Sequence, residues 1–168
     1  MHIAGSWQRI DNRPGDMTLL SRLYFTTIIT FCSLYAAQPI QPLFQQEFGL
    51  SALHALLFTT LMMFPLGVAP LFYGYLLEYV PARHVLRSAV LAMAVLELAF
   101  AASQHYAVLL AIRGVQGMVI PAILTALMSS ISVMSPSGRV QQAIALYIGA
   151  TIIGGFLGRL LSGVLTDL

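Results

Sequence analysis

Charge is scarce in this chain. Only 8% of its 168 residues are Asp, Glu, Lys or Arg, against 58% hydrophobic, and the mean hydropathy is +0.84. So little polar surface cannot solvate a globule of this length, which excludes a water-soluble domain and places the chain in a bilayer. Lysine is missing altogether, and all eight basic residues are Arg. With a net charge of +2 and no basic cluster, the sequence has no electrostatic footprint for nucleic acid. The one cysteine, Cys32, cannot form an intrachain disulfide and reads as a small core residue inside an apolar run. His54, His84 and His105 fall at the ends of apolar runs, where a polar ring is expected, and His2 lies in the N-terminal tail. No nucleophile, metal-ligand spacing or phosphate-cradling loop occurs, so enzyme chemistry, a metal and a cofactor have no support.

What the sequence does have is long apolar runs. Five are long enough to cross a hydrocarbon core of about 30 Å, which takes about 20 residues of helix. They are Leu20–Phe44, Leu53–Leu77, Val85–Ala102, Tyr106–Met134 and Ala143–Leu165. The expectation is a tail over residues 1–18 followed by an all-α, polytopic transmembrane bundle over residues 19–168. The first run ends in a small-residue pair, Ala36-Ala37, but Tyr35 occupies a position where a signal peptidase site wants a second small residue. It reads as an anchor that stays.

Arginines at or beyond the ends of the runs fall at alternate links: Arg9, Arg13 and Arg22 at the start of the first run, Arg83 and Arg87 where the second passes to the third, Arg139 between the fourth and fifth. The remaining links carry only Glu47 or a histidine, so the N-terminus is expected in the cytoplasm and the C-terminus outside.

The runs are not smooth rods. The second holds Pro65, Gly67, Pro70 and Gly74, the first ends in Gln38-Pro39-Ile40-Gln41-Pro42, and the fourth holds Pro121. Such breakers survive in a membrane where neighbouring helices or water satisfy the freed backbone groups. In the fifth run Ala150, Gly154, Gly158 and Ser162 recur every four residues, a small-residue face that another backbone can approach closely.

Three charges within the runs lie well away from the arginine-bearing ends. Arg113 costs roughly 2.5–3.5 kcal/mol at the centre of a spanning helix on insertion scales, so it needs a partner charge or a watered cavity. Counting 1.5 Å per residue, Glu97 lies about 18 Å along the third run and Arg113 about 10 Å along the fourth. Both therefore fall roughly 10–12 Å below the outer surface of a 30 Å core, and the expectation is that they pair. Arg159 sits further out, within reach of the interface by snorkelling. At the outer end of the first run, Tyr35, Gln38 and Gln41 are candidates either to hydrogen-bond a substrate or to reach the headgroups.

Three segments carry a resemblance to a known family, the major facilitator superfamily of secondary transporters. Arg113-Gly114-Val115-Gln116-Gly117 is similar to its R-x-x-Q-G signature in helix four. Gly74-Tyr75-Leu76-Leu77-Glu78-Tyr79-Val80-Pro81-Ala82-Arg83 resembles its cytoplasmic signature loop between helices two and three, with Glu78 for the aspartate and with Arg83 and Arg87 keeping positive charge nearby. Gly154-Gly155-Phe156-Leu157-Gly158-Arg159 resembles the helix-five signature of proton-driven antiporters, with Gly155 in place of the proline. The resemblance covers nearly the whole chain as the first five helices of the family's N-terminal half, and looks most like bacterial inner-membrane efflux members. It implies a fold that is part of an N-terminal half-bundle, with Arg113, Glu97 and Arg159 as proton-coupling or intramembrane charges: Arg113 either tunes the proton affinity of a carboxylate, contacts the substrate or forms a structural ion pair with Glu97, for which the structural role is favoured. It also implies that Gln116 shares a cavity with Tyr35, Gln38 and Gln41, and that small molecules and protons pass through a parent protein.

Family halves have six helices each and carry substrate between two halves. Five helices lead to the expectation of an incomplete N-terminal portion of a proton-coupled efflux carrier in the inner membrane, contacting lipid and pairing with a C-terminal half. The alternative is a small membrane interaction protein, or a non-transporting remnant, that self-associates through the glycine-rich face of the fifth helix.

Overall fold

The computed structural model of the chain describes residues 14–136 and 138–166. In hydrocarbon every backbone N–H and C=O must be satisfied within the chain, and helices do this locally. Helices are what the described residues form: α1 (Pro14–Ala36), α2 (Gln41–Glu47), α3 (Ala52–Tyr79), α4 (Ala82–Ala102), α5 (Tyr106–Met134) and α6 (Val140–Thr166). By length and composition they give five membrane-spanning stretches, with α1 and α2 together making the first. The tail over residues 1–13 lies outside the described residues.

The first span departs from the continuous helix expected over Leu20–Phe44. α1 stops at Ala36, the Gln38 N–H donates to the Tyr35 carbonyl in a turn, and the chain re-enters a helix with Pro42 in its first turn. Pro39 offers no N–H to continue α1, and a residue before proline is biased away from helix, so the break belongs at this place. At the far end of α2, Gly49 takes a φ of +59° and the Leu50 N–H donates to the Gln45 carbonyl. That left-handed glycine cap closes the short helix and turns the chain into α3. Ser51 then caps α3, its hydroxyl accepting from the His54 N–H.

The remaining links are short: Val80–Pro81 between α3 and α4, and Ser103–His105 between α4 and α5. Short links make sequence neighbours antiparallel. α5 is the central helix, packed against α1, α3, α4 and α6. Ile120, Ile123, Leu127 and Ile131 of α5 lose essentially all contact with the surroundings. The outer helices do the opposite, presenting Phe64, Leu71 and Leu98 at 74%, 77% and 72% exposure. Apolar surface so extensive belongs against acyl chains rather than water.

Two helix pairs approach most closely, α1 with α6 and α3 with α5. Glycines allow both. A Cβ added at Gly154 or Gly158 would land on the carbonyl oxygens of Ile28 and Cys32 in α1, and one at Gly117 of α5 would sit 2.5 Å from the Met62 carbonyl oxygen of α3. Ala150 and Ser162, the other members of the stripe on α6, are also buried. The small-residue face of α6 is therefore covered by α1.

Candidate functional site

Helical spacing puts Arg113, Gln116 and Gly117 on one face of α5. Because Gly117 admits the α3 backbone at Met62, that face is sealed, and the Arg113 side chain is left only 3% exposed. Its guanidinium lies over two rings, Phe100 of α4 with 4.5 Å to the centroid and Phe58 of α3 with 5.2 Å. One terminal N–H donates to the sulfur of Met62 at 3.6 Å. Arg113 Nε has no partner, and neither has the side-chain oxygen or nitrogen of the fully buried Gln116. Gln38, Thr59, Met62, Met63 and Arg113 border a cavity of about 10 Å³, which is about the room one water needs. Gln41 bridges across to the Thr59 hydroxyl, tying α2 to α3 beside it.

The expected ion pair between Arg113 and Glu97 does not form. The Glu97 carboxylate instead accepts a hydrogen bond from Ser33 of α1 and borders a groove between α1 and α4 of about 310 Å³, lined by Phe25, Ile29, Val90 and Met93 among others. The physical reason is rotation about the helix axis. Phe100, three residues on and so about 60° round α4 at 3.6 residues per turn, is the side chain that faces Arg113 of α5. Glu97 still attracts the guanidinium at a distance, without touching it.

Arg159, expected within snorkelling reach of the interface, is held by the end of α1. Its Nε donates to the side-chain oxygen of Gln38 at 2.9 Å, and its guanidinium stacks over the ring of Tyr35 with 4.2 Å to the centroid. The three residues expected separately at the outer end thus form one cluster joining α6 to the end of α1. Gly155 makes room for it: a Cβ there would meet the Tyr35 ring at 3.0 Å.

In the signature loop, Glu78, Arg83 and Arg87 are exposed where α3 turns into α4. Gly74, within α3, has nothing within 4 Å of an added Cβ, so no close approach requires a glycine there. Sequence reasoning missed Phe58, Phe100, Met62 and Ser33. An aromatic or methionine in an apolar run has no signal that separates an arginine's cradle from a lipid-facing side chain, and Ser33 is one of many small hydroxyls in the first span. Among the described residues no group of His, Cys, Asp and Glu could hold a metal ion.

The sequence comparisons agree with this geometry. A profile of the Major Facilitator Superfamily matches residues 23–168. The chain belongs to the Major Facilitator Superfamily. It is therefore a multi-pass membrane protein of a transporter family, not an enzyme. Among curated relatives it is similar to the inner membrane transport protein YnfM of Escherichia coli (strain K12), 29% identical over 92% of this chain and 37% of that protein. It is 31% identical to the uncharacterized MFS-type transporter YybF of Bacillus subtilis (strain 168), over 82% of this chain and 34% of that protein. An uncharacterized transporter of Buchnera aphidicola subsp. Schizaphis graminum is 27% identical over 86% of the chain and 35% of its own length. The chain thus spans about a third of the length of the superfamily relatives it matches.

Proposed function

We propose that the chain is part of a secondary active transporter of the bacterial inner membrane, one that exports small molecules in exchange for protons with its N-terminus in the cytoplasm. The observation that carries this reading is Arg113, a permanent charge deep in a span that rests on rings and a sulfur, with unpartnered polar atoms beside it. A charge kept only to hold the fold is best neutralised by a hydrogen-bonded carboxylate, because an unpaired ion in a low-dielectric interior costs several kcal/mol. An arginine left without one keeps its positive field for a group that comes and goes.

Arginine does not release its own proton in proteins. Its part in this reading is that of a fixed positive charge, while Glu97, which accepts a hydrogen bond from Ser33, supplies the ionisable group of the bundle. Tyr35, Gln38 and Gln41 supply polar contacts toward the substrate path, Gln116, expected in the same cavity, is instead fully buried behind Arg113, and Glu78, Arg83 and Arg87 form the polar cytoplasmic end. The alternative, an interaction protein that binds through the small-residue face of α6, loses its surface because α1 already covers that face.

Everted membrane vesicles carrying the transporter that contains this segment test the reading with a panel of amphipathic drugs, sugars and organic acids. At least one compound is expected to accumulate when a proton gradient is imposed, and Arg113→Gln is expected to lose that flux per unit of folded protein, the folded fraction being measured in the same vesicles. Gradient-driven flux unchanged by Arg113→Gln, or absent for the whole panel, would count against it.

A further inference from the structure

The cluster at the end of α1 holds a cation that nothing among the described residues neutralises. Arg159 is exposed, yet it is fixed: Gln38 takes its Nε–H at 2.9 Å and the Tyr35 ring lies against its plane at 4.2 Å. Tyr35 is in turn seated on the bare backbone of Gly155, one turn back along α6. Neither partner carries a negative charge. An amide oxygen and an aromatic face orient a guanidinium without cancelling it.

With Nε engaged, the edge formed by the two terminal nitrogens stays available, and that edge matches the two oxygens of a carboxylate or phosphate. Helical spacing sets an apolar track next to it. Phe156 lies three residues before Arg159 and Ile152 seven before, on the same side of α6, and they are 62% and 66% exposed. A held cation at the head of an apolar stripe is the complement of an amphiphile with an anionic head.

We infer that Arg159, oriented by Gln38 and Tyr35, binds the oxyanion head of an amphipathic molecule whose apolar body lies along Phe156 and Ile152. As a substrate site this rests on the transport reading above and gives it a substrate class. Binding measured without a gradient keeps the two apart, because failure to bind sinks the anion site while leaving gradient-driven export to stand or fall in vesicles.

The full chain in nanodiscs of zwitterionic lipid would be titrated with 11-(dansylamino)undecanoic acid and, separately, with its methyl ester. The acid is expected to give a saturable fluorescence rise, and the ester to bind at least tenfold more weakly. Arg159→Gln should weaken the acid at least tenfold and Gln38→Ala severalfold, whereas Arg139→Gln, in the link before α6, should leave it unchanged. Displacement of the probe by phosphatidylglycerol would identify a lipid headgroup as the occupant of the oxyanion site; displacement by free fatty acid alone would identify a carboxylate solute. Equal binding of acid and ester overturns the inference, and so does equal loss in Arg139→Gln, which would mark general surface electrostatics. If Arg159→Gln yields no monodisperse protein, Gln38→Ala decides, since it keeps the charge and releases only its orientation; unchanged acid binding in that variant would overturn the site.

Discussion

Arg113 is stabilised by polarizable groups rather than by a counter-charge, and those two kinds of partner answer differently to substitution. A guanidinium spreads over a ring face, whereas an ammonium is a compact and strongly hydrated charge, so Arg113→Lys is expected to lose folded protein as Arg113→Gln does. Phe100→Leu keeps most of the apolar bulk but removes the nearer ring, and a desolvated cation–π contact is worth about 2 kcal/mol or more. Thermal unfolding of the purified chain in detergent checks this; an unshifted transition in Phe100→Leu would show that the ring does not hold the charge. Gln116 offers the reverse experiment. Both its amide atoms are buried without partners, and such groups carry a desolvation penalty of about 1–3 kcal/mol. Gln116→Leu should therefore raise the unfolding temperature, and a fall would mean that the amide is satisfied in the membrane. Glu97 is predicted to couple more strongly to Ser33 than to Arg113 in double-mutant cycles of Ser33→Ala, Glu97→Gln and Arg113→Gln. A larger coupling to Arg113 would restore the direct pair. That these charges lie within long apolar helices was legible in the sequence, because it needs only a residue count. Their partners were not, because rotation about each axis depends on which neighbours the bundle supplies.

At the scale of the helix, glycine has two opposite meanings here, and the structure separates them. Gly117, Gly154 and Gly158 sit where a Cβ would strike the backbone of a facing helix, while Gly149 and Gly163 face open space. Gly158→Ala and Gly117→Ala must push helices apart and should destabilise the chain. Gly149→Ala and Gly163→Ala should be neutral or stabilise by roughly 0.5–1 kcal/mol, the usual gain of alanine over glycine inside a helix. Unfolding curves of the four variants are the measurement, and a similar loss in all of them would make the close contacts incidental. The stripe on α6 was readable because small residues recur every four positions. That it meets α1, and that a matching close crossing exists between α3 and α5 at a single glycine, was not readable, since one Gly117 makes no period. The break after Ala36 was half legible: Pro39 and Pro42 marked it, but apolar residues on both sides made the run look continuous.

For the whole molecule, the decisive pattern is where the arginines are not. Apart from Arg113 and Arg159 they occur in the tail, in the first turns of α1 and α4 and before α6; the α2–α3 and α4–α5 links hold none. With antiparallel neighbours joined by short links, the arginine-bearing ends gather on one side of the bundle and the arginine-free ends on the other. Because short loops rich in Lys and Arg tend to stay in the cytoplasm, the arginine-bearing ends are expected inside, with the start of α1, and the end of α6 outside. Arg113 and Arg159 do not disturb this count, because one is sealed among rings and the other is bound to Gln38 and Tyr35. Single cysteines introduced into a Cys32→Ser background test the orientation while leaving every arginine in place. Glu47→Cys and Gln104→Cys should react with a membrane-impermeant maleimide added to intact cells, and His84→Cys and Ser135→Cys should react only after the membrane is opened. Labelling at position 84 or 135 from outside, with 47 and 104 protected, would invert the protein and move the Arg159 cluster from the outer end of the bundle to the cytoplasmic one.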